Sequence, residues 1–299
     1  MIDAKINTII AENGLQAFYP ANPDPNSRLN KLLQRLYLID YNGLIRRLGL
    51  PSIEFAIDLV SVALYNVMIL YDDSGSMHMD EYNKPSTEKV EDLVAFVQRV
   101  ASISCMFDDD GIDILSFKRS KDFYGVTDPN SVPSLFQDKG VTYSGGTPLA
   151  ESIENKILKP HVKDLIDRGG LTKPVIIYIV TDGAPDSQRA VYETISNMKQ
   201  RLIQTSYGRK AVVYAFLQVG RDKKAQAFLA QLDNDKGAVD LAHPESVDPK
   251  AIGDVVDATS YCEDEEEEYR KKGIELTPGM YLNKACLGAI DRSYDEQDE

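Results

Sequence analysis

Asp72, Ser74 and Ser76 alternate along Tyr71-Asp-Asp-Ser-Gly-Ser-Met77, a D-x-S-x-S pattern placed directly after an apolar run. Alternate residues of a locally extended chain point to one side, so a carboxylate and two hydroxyls converge. A third hydroxyl, Thr147, lies in Gly145-Gly146-Thr147-Pro148, and a second carboxylate, Asp182, lies in Val180-Thr181-Asp182-Gly183. Two carboxylates and three hydroxyls make a donor set without sulfur or nitrogen. That set suits a hard octahedral cation, Mg²⁺ or Mn²⁺, with water in the remaining positions. Two Asp charges only balance a divalent ion, so an anionic ligand is still attracted to an open position. Each segment also has a plainer use. Asp and Ser fill polar turns, Thr147 is placed to cap a helix, and Asp182 with Gly183 and Pro185 begins a turn. Five donors in order, each at an element boundary, weigh against five separate explanations.

The elements that must position these residues are legible as a change of period. Residues 1–61 read as a helical extension: Ile2, Ile6, Ile9 and Ile10 recur at helical spacing. After a turn-rich break at 20–25, Leu29, Leu32, Leu33 and Leu36 begin a second helix. Ser52 is a predicted N-cap for a third, with Ile53, Ala56, Ile57, Val60 and Leu64 on one face. From residue 62 to 258 apolar runs alternate with helical patterns. The runs 66–72, 111–117, 122–126, 174–181 and 211–219 read as strands, and Val239–Ala242 as a last edge strand. Helical patterns start at Val90, Thr147, Val191 and Ala225, the second of them kinking at Pro160. Alternation of this kind predicts an α/β fold, a doubly wound and mostly parallel central sheet with helices on both faces. Ligands of such sheets collect at the carboxyl ends of the strands, near the point where strand order reverses. All three segments can meet there if the first and fourth strands are neighbours.

In these five positions the sequence resembles the von Willebrand factor A (vWA) family, specifically its metal-ion-dependent adhesion site. The family pattern is D-x-S-x-S, then a Thr in a Gly-rich loop, then an Asp in a T-D-G turn, and Asp72, Ser74, Ser76, Thr147 and Asp182 match it in order. The resemblance covers about residues 62–258. It implies direct metal bonds from Ser74 and Ser76, a direct or water-mediated bond from Thr147, and mostly water-mediated bonds from Asp72 and Asp182. It further implies a non-catalytic binding module whose metal accepts an Asp or Glu carboxylate from a protein partner. A second ion, which some members place after the first motif, is not expected, because only Asp80 of Met77–Glu81 keeps that acidic pattern. His78 reads as an exposed histidine near the site, and His161 and His243 have no partner pattern.

Composition narrows the partners. The chain has 299 residues and a formal charge of −14, of which residues 254–299, with 14 acids and 5 bases, hold −9. No basic stripe remains to neutralise phosphates, which excludes nucleic acid and anionic membrane surfaces as expected partners. Cys105, Cys262 and Cys286 form no C-x-x-C pair, against a disulfide framework or a thiolate zinc site. The N-terminus has no signal-peptide pattern and the most apolar stretch, 55–71, is interrupted by Asp58, Ser61 and Asn66, so a cytoplasmic location is expected. In the acidic tail, 259–299, the run Glu263–Glu268 reads as a solvated face or flexible linker. Thr277-Pro278 opens one short helix, and 291–299 reads as frayed. Asp108–Gly111 reads as a solvated turn at the far edge of the sheet.

Three other functions fit the same residues less well. A Mg²⁺-dependent hydrolase or phosphoryl-transfer enzyme needs a second acid where Ser74 stands, or a phosphate loop with Lys, and neither occurs. A serine hydrolase needs a G-x-S-x-G elbow and a base, and no elbow is present. A vWA fold with an empty site is disfavoured by retention of all five ligand types.

Overall fold

Strands form where the apolar runs predict them: β1 (Asn66–Tyr71), β2 (Ile112–Ser116), β3 (Phe123–Val126), β4 (Val175–Thr181) and β5 (Val212–Gln218). A sixth, β6 (Val256–Thr259), was not read from the sequence. The structure, a computed structural model, describes residues 1–22, 24–118, 120–235 and 250–295. The expected edge strand Val239–Ala242 and His243 lie outside the described residues. The sheet order is β3-β2-β1-β4-β5-β6. All neighbours are parallel except β2 and β3, which are antiparallel. Every residue of β4 and β5 is buried, as a strand covered on both faces requires.

Helices α1 (Ile2–Glu12), α2 (Arg28–Tyr37), α3 (Tyr41–Leu48) and α4 (Ile53–Asp58) precede the sheet. Between strands run α5 (Glu88–Phe107), α6 (Val132–Phe136), α7 (Leu149–Ser152), α8 (Asp164–Asp167), α9 (Gln188–Ile203) and α10 (Lys223–Asp233). The tail forms α11 (Cys262–Lys271), α12 (Pro278–Leu287) and α13 (Arg292–Asp295). The chain builds outward from β1 to β3, then returns to β4 and builds the other way to β6. With right-handed crossovers, that reversal puts helices on both faces. The fold is the expected doubly wound α/β sheet with helical additions.

Several local expectations are corrected. Ser52 stands at the start of α4, yet its hydroxyl donates to Glu54 and caps no backbone amide. The helix after Thr147 does not simply kink at Pro160. Between α7 and α8 the backbone widens into π-helical turns over Ile153–Lys163, with Pro160 inside. Proline lacks an amide and crowds the carbonyl four residues back, and a wider turn relieves that crowding. The Glu-rich run is neither linker nor wholly solvated: it is α11, with Glu265 buried against the Lys284 ammonium of α12. Of the end expected to be frayed, 291–299, the described part is tied down as well, since Tyr294 is buried and its hydroxyl donates to Asp58 at 2.8 Å, while 296–299 lie outside the described residues. The turn at Asp108–Gly111 does more than face water. Arg35 of α2 bonds both Asp109 oxygens at 2.7 and 2.6 Å, and Lys173 reaches Asp108 at 2.9 Å.

Candidate metal centre

β1 and β4 are neighbours in register, Tyr71 beside Val180, and the Asp72 amide continues the ladder to the Val180 carbonyl at 2.9 Å. Asp72 and Asp182 therefore leave the carboxyl ends of adjacent strands at the place where strand order reverses, the crevice where such sheets bind ligands. The Ser74 amide donates to Asp72 Oδ1 at 2.8 Å, and Thr181 Oγ1 donates to Asp72 Oδ2 at 2.7 Å. The Ser74 and Ser76 hydroxyls lie 3.0 Å apart, and Ser76 Oγ donates to Asp182 Oδ1 at 2.8 Å. Four of the five residues singled out by the sequence, Asp72, Ser74, Ser76 and Asp182, thus belong to one hydrogen-bonded chain.

Thr147 arrives on a loop stitched to both others. Gly75 N donates to the Gly145 carbonyl at 3.2 Å, and Ser144 N to the Asp73 carbonyl at 2.8 Å. On the other side, Asp186 Oδ1 accepts from Thr147 N at 2.9 Å, and Asp186 N donates to the Thr147 carbonyl at 3.0 Å. The paired glycines have separate reasons. Gly145 has φ +72°, the left-handed region, and a Cβ on Gly146 would lie 2.6 Å from Asp186 Oδ1. Thr147 does not cap the following helix; Pro148 holds the N-cap position of α7.

Asp72, Ser74, Thr147 and Asp182 are buried, and Ser76 is exposed. Burial pushes the Asp72 carboxyl up to about 6, the Asp182 charge pushes the same way, and the Ser74 and Thr181 donors oppose both. Two buried carboxylates side by side call for a positive charge. Lys89, in the first turn of α5, supplies one: its ammonium lies 2.6 Å from Asp182 Oδ2 and 3.2 Å from the Ser76 carbonyl. Lys89 and Asp186 were both missed in the sequence. Asp186 carries no local signal. Lys89 carries one, since a cation in the first turn opposes the helix dipole and so asks for a nearby anion.

The flanking candidates turn out to be structural. Asp73 accepts from the Lys118 and Ser120 amides at 3.1 and 3.2 Å, tying the site to the loop after β2. Asp80 Oδ1 accepts the Tyr82 and Lys84 amides, both at 2.8 Å, which makes it a turn-former. His78 is half-buried, edge-on to Tyr143 with ring centroids 4.5 Å apart.

Among the described residues no group of three or more His, Cys, Asp or Glu is placed to hold a metal. A cation at this site must therefore draw on hydroxyls. Two adjacent carboxylates, two hydroxyls 3.0 Å apart and an exposed Ser76 fit a hard divalent ion that keeps some of its water.

No family model matches the sequence, and no curated protein is similar to it. Among solved structures, the manganese-loaded TRAP protein of Plasmodium vivax is similar over 68% of this chain and 71% of that one. The identity is 14% and the TM-score 0.38.

Proposed function

We propose that this chain is a non-catalytic, vWA-type binding module. Asp72, Ser74, Ser76, Thr147 and Asp182 hold one Mg²⁺ or Mn²⁺, which takes an Asp or Glu carboxylate from a protein partner. The observation that carries this reading is the bonded chain from Asp72 through Ser74 and Ser76 to Asp182, at the carboxyl ends of β1 and β4. The ion supplies a residual positive charge that a carboxylate can neutralise. Ser74 and Ser76 present hydroxyl oxygens to it, while Asp72 and Asp182 orient those hydroxyls and balance charge. The exposed face at Ser76 is where a partner group enters.

A binding role fits Asp72 better than a nucleophilic one. Its carboxylate is fully buried and both oxygens already accept hydrogen bonds, from Ser74 and Thr181. The enzymatic alternative would need that oxygen open to substrate. All three thiols are free, in keeping with the reducing cytoplasmic setting we propose. No helix among the described residues is long and apolar enough to cross a membrane.

Affinity capture from lysate with Mg²⁺, repeated with chelator, tests the partner half of the proposal, and calorimetric titration of Mg²⁺ and Mn²⁺ tests the metal half. One site is expected, weakened at least tenfold by Asp182→Ala and by Asp72→Ala. Equal Mg²⁺ affinity in wild type and both variants rejects the assignment.

A further inference from the structure

Both oxygens of Asp182 already accept hydrogen bonds from the chain itself. Ser76 Oγ holds Oδ1, and the Lys89 ammonium holds Oδ2. Asp182 is 1% exposed and Lys89 only 15% at its side chain, so this ion pair sits largely away from water. A divalent ion held by these donors would be repelled by that ammonium.

The structure also gives the lysine a prepared path. Its stem passes over Gly220, where a Cβ would fall 2.7 Å from Lys89 Cε. Gly220 has φ +73°, so the loop after β5 keeps both the left-handed turn and the bare surface that the stem needs. Beside that path lies a cavity of about 310 Å³, lined by Lys89 itself together with Asp80, Glu81, Glu88, Glu263 and Arg221, the last of which already pairs with Glu81 and Glu263. An ammonium leaving Asp182 has the Asp80 and Glu88 carboxylates of that cavity to move toward.

We infer that Lys89 is a tethered counter-cation of the metal-free site, which a divalent ion must displace from Asp182, so that Lys89 sets the metal affinity and swings into the adjoining cavity when the ion binds. This rests on the metal-binding reading above. In the metal-free state the lysine prevents two buried carboxylates from facing each other uncompensated. In the loaded state its charge is redundant at Asp182. The site therefore exchanges one cation for another, and its affinity is lower than the five donors alone would provide.

Calorimetric titration of Mg²⁺ into wild type, Lys89→Met and Lys118→Met separates the possibilities. Lys118 is a fair control, because its ammonium contacts the Ser144 carbonyl near the site and no ligand carboxylate. The expected result is Mg²⁺ binding about tenfold tighter or more in Lys89→Met, and changed less than about threefold in Lys118→Met. The metal-induced rise in melting temperature should also be larger in Lys89→Met than in wild type. Equal affinity in wild type and Lys89→Met, or an equal gain in both variants, overturns the inference and leaves the metal site standing. No Mg²⁺ binding in any of the three overturns the metal-binding reading, and the inference with it.

A measurement on the wild-type protein covers the case in which Lys89→Met misfolds. Acetylation of Lys89, followed by peptide mass spectrometry, should speed up several-fold on adding Mg²⁺, because the amine is released from Asp182. An unchanged rate at saturating Mg²⁺ overturns the inference.

Discussion

Asp72 and Asp182 are held in opposite ways, and the difference has consequences for stability. Asp182 is compensated by the Lys89 ammonium at 2.6 Å. Asp72 has neutral donors only among its hydrogen-bond partners, Ser74 N and Thr181 Oγ1, and its carboxyl is pushed up to about 6 by burial and then by Asp182. An ionised group in that position destabilises the metal-free fold. Asp72→Asn keeps the shape and an acceptor oxygen for the Ser74 amide, presents its NH2 to Thr181 Oγ1, whose proton then turns to the Gly183 carbonyl 3.2 Å away, and removes the charge. In chelator at pH 7.5 this variant should be more stable than wild type, by roughly 1–2 kcal/mol in urea unfolding. Its Mg²⁺ affinity should fall at least tenfold. Lower stability of the variant in chelator would mean that Asp72 is a structural anchor. At this scale residue type carried most of the information: an Asp and two hydroxyls at alternate positions after a strand can be read without coordinates. Lys89 could not be assigned that way, because its contact with Asp182 spans 93 residues and depends on where the start of α5 meets the turn after β4. Asp186 likewise acts on Thr147 across 39 residues.

The tail shows why an element can be misread from charge alone. Six consecutive acids, Glu263–Glu268, look like a solvated tract, yet the segment is helical. Its first turn carries Glu263, Asp264 and Glu265, and its last turn Arg270 and Lys271, both favourable to the helix dipole. What fixes it is one inward residue: Glu265 bonds Lys284 of α12 and accepts the Ser260 amide at 3.1 Å. Periodicity could not reveal this, because the buried position is filled by an acid and not by an apolar residue. Glu265→Gln removes the carboxylate from a buried ammonium and should lower stability by roughly 2–4 kcal/mol in denaturant unfolding. The same substitution should loosen α11, and Cys262 at its start reports on that. Burial and the nearby Glu266 push the Cys262 thiol up to about 11. Only the thiolate reacts, so alkylation in the wild type is slow at pH 8 and accelerates as pH rises toward 11. In Glu265→Gln the rate at pH 8 should increase, as the thiol gains water and its pKa falls back. An unchanged rate with unchanged stability would mean that α11 is held by its other contacts.

Across the whole molecule, the two ends of the chain close on each other behind the sheet. Lys5 of α1 bonds Asp58 at 2.7 Å and also Asp291, Asn13 Nδ2 donates to the Ile290 carbonyl at 2.7 Å, and Tyr294 reaches Asp58. Burial alone would lower the Lys5 pKa, but Asp291 and Asp58 outweigh it and raise it. Tyr178 of β4 donates to the Cys286 carbonyl at 2.9 Å, so α12 is bonded to the strand that ends in Asp182. Ile6, Ile9, Leu282 and Leu287 share one core with the strands. The doubly wound sheet was accessible to sequence reasoning because all-apolar runs alternating with helical patterns admit few topologies, whereas the order was read only as a condition, that the first and fourth strands be neighbours, and β6 was missed. The closure of the ends was not, since it depends on pairs up to 286 residues apart in which each partner, read locally, is an ordinary surface residue. It reverses a prediction that charge would suggest. Deleting 291–299 from an acidic, seemingly frayed end ought to cost nothing. Here it removes Asp291, one of the two carboxylates on Lys5, and the buried Tyr294 ring, leaving Lys5 with Asp58 alone and a cavity against α4 and α12. Losing a buried aromatic side chain costs about 3–5 kcal/mol, and the loss of one of the two Lys5 carboxylates adds a smaller amount, not fully additive. The deletion should therefore lower unfolding stability by at least about 3 kcal/mol, whereas deleting 296–299 alone should leave it within about 0.5 kcal/mol. Urea unfolding of both truncations decides the matter: equal midpoints would mean that the terminal contacts add nothing to the fold. Because α12 is bonded to β4, the longer deletion should also weaken Mg²⁺ binding modestly, a loss that a merely peripheral tail would not produce.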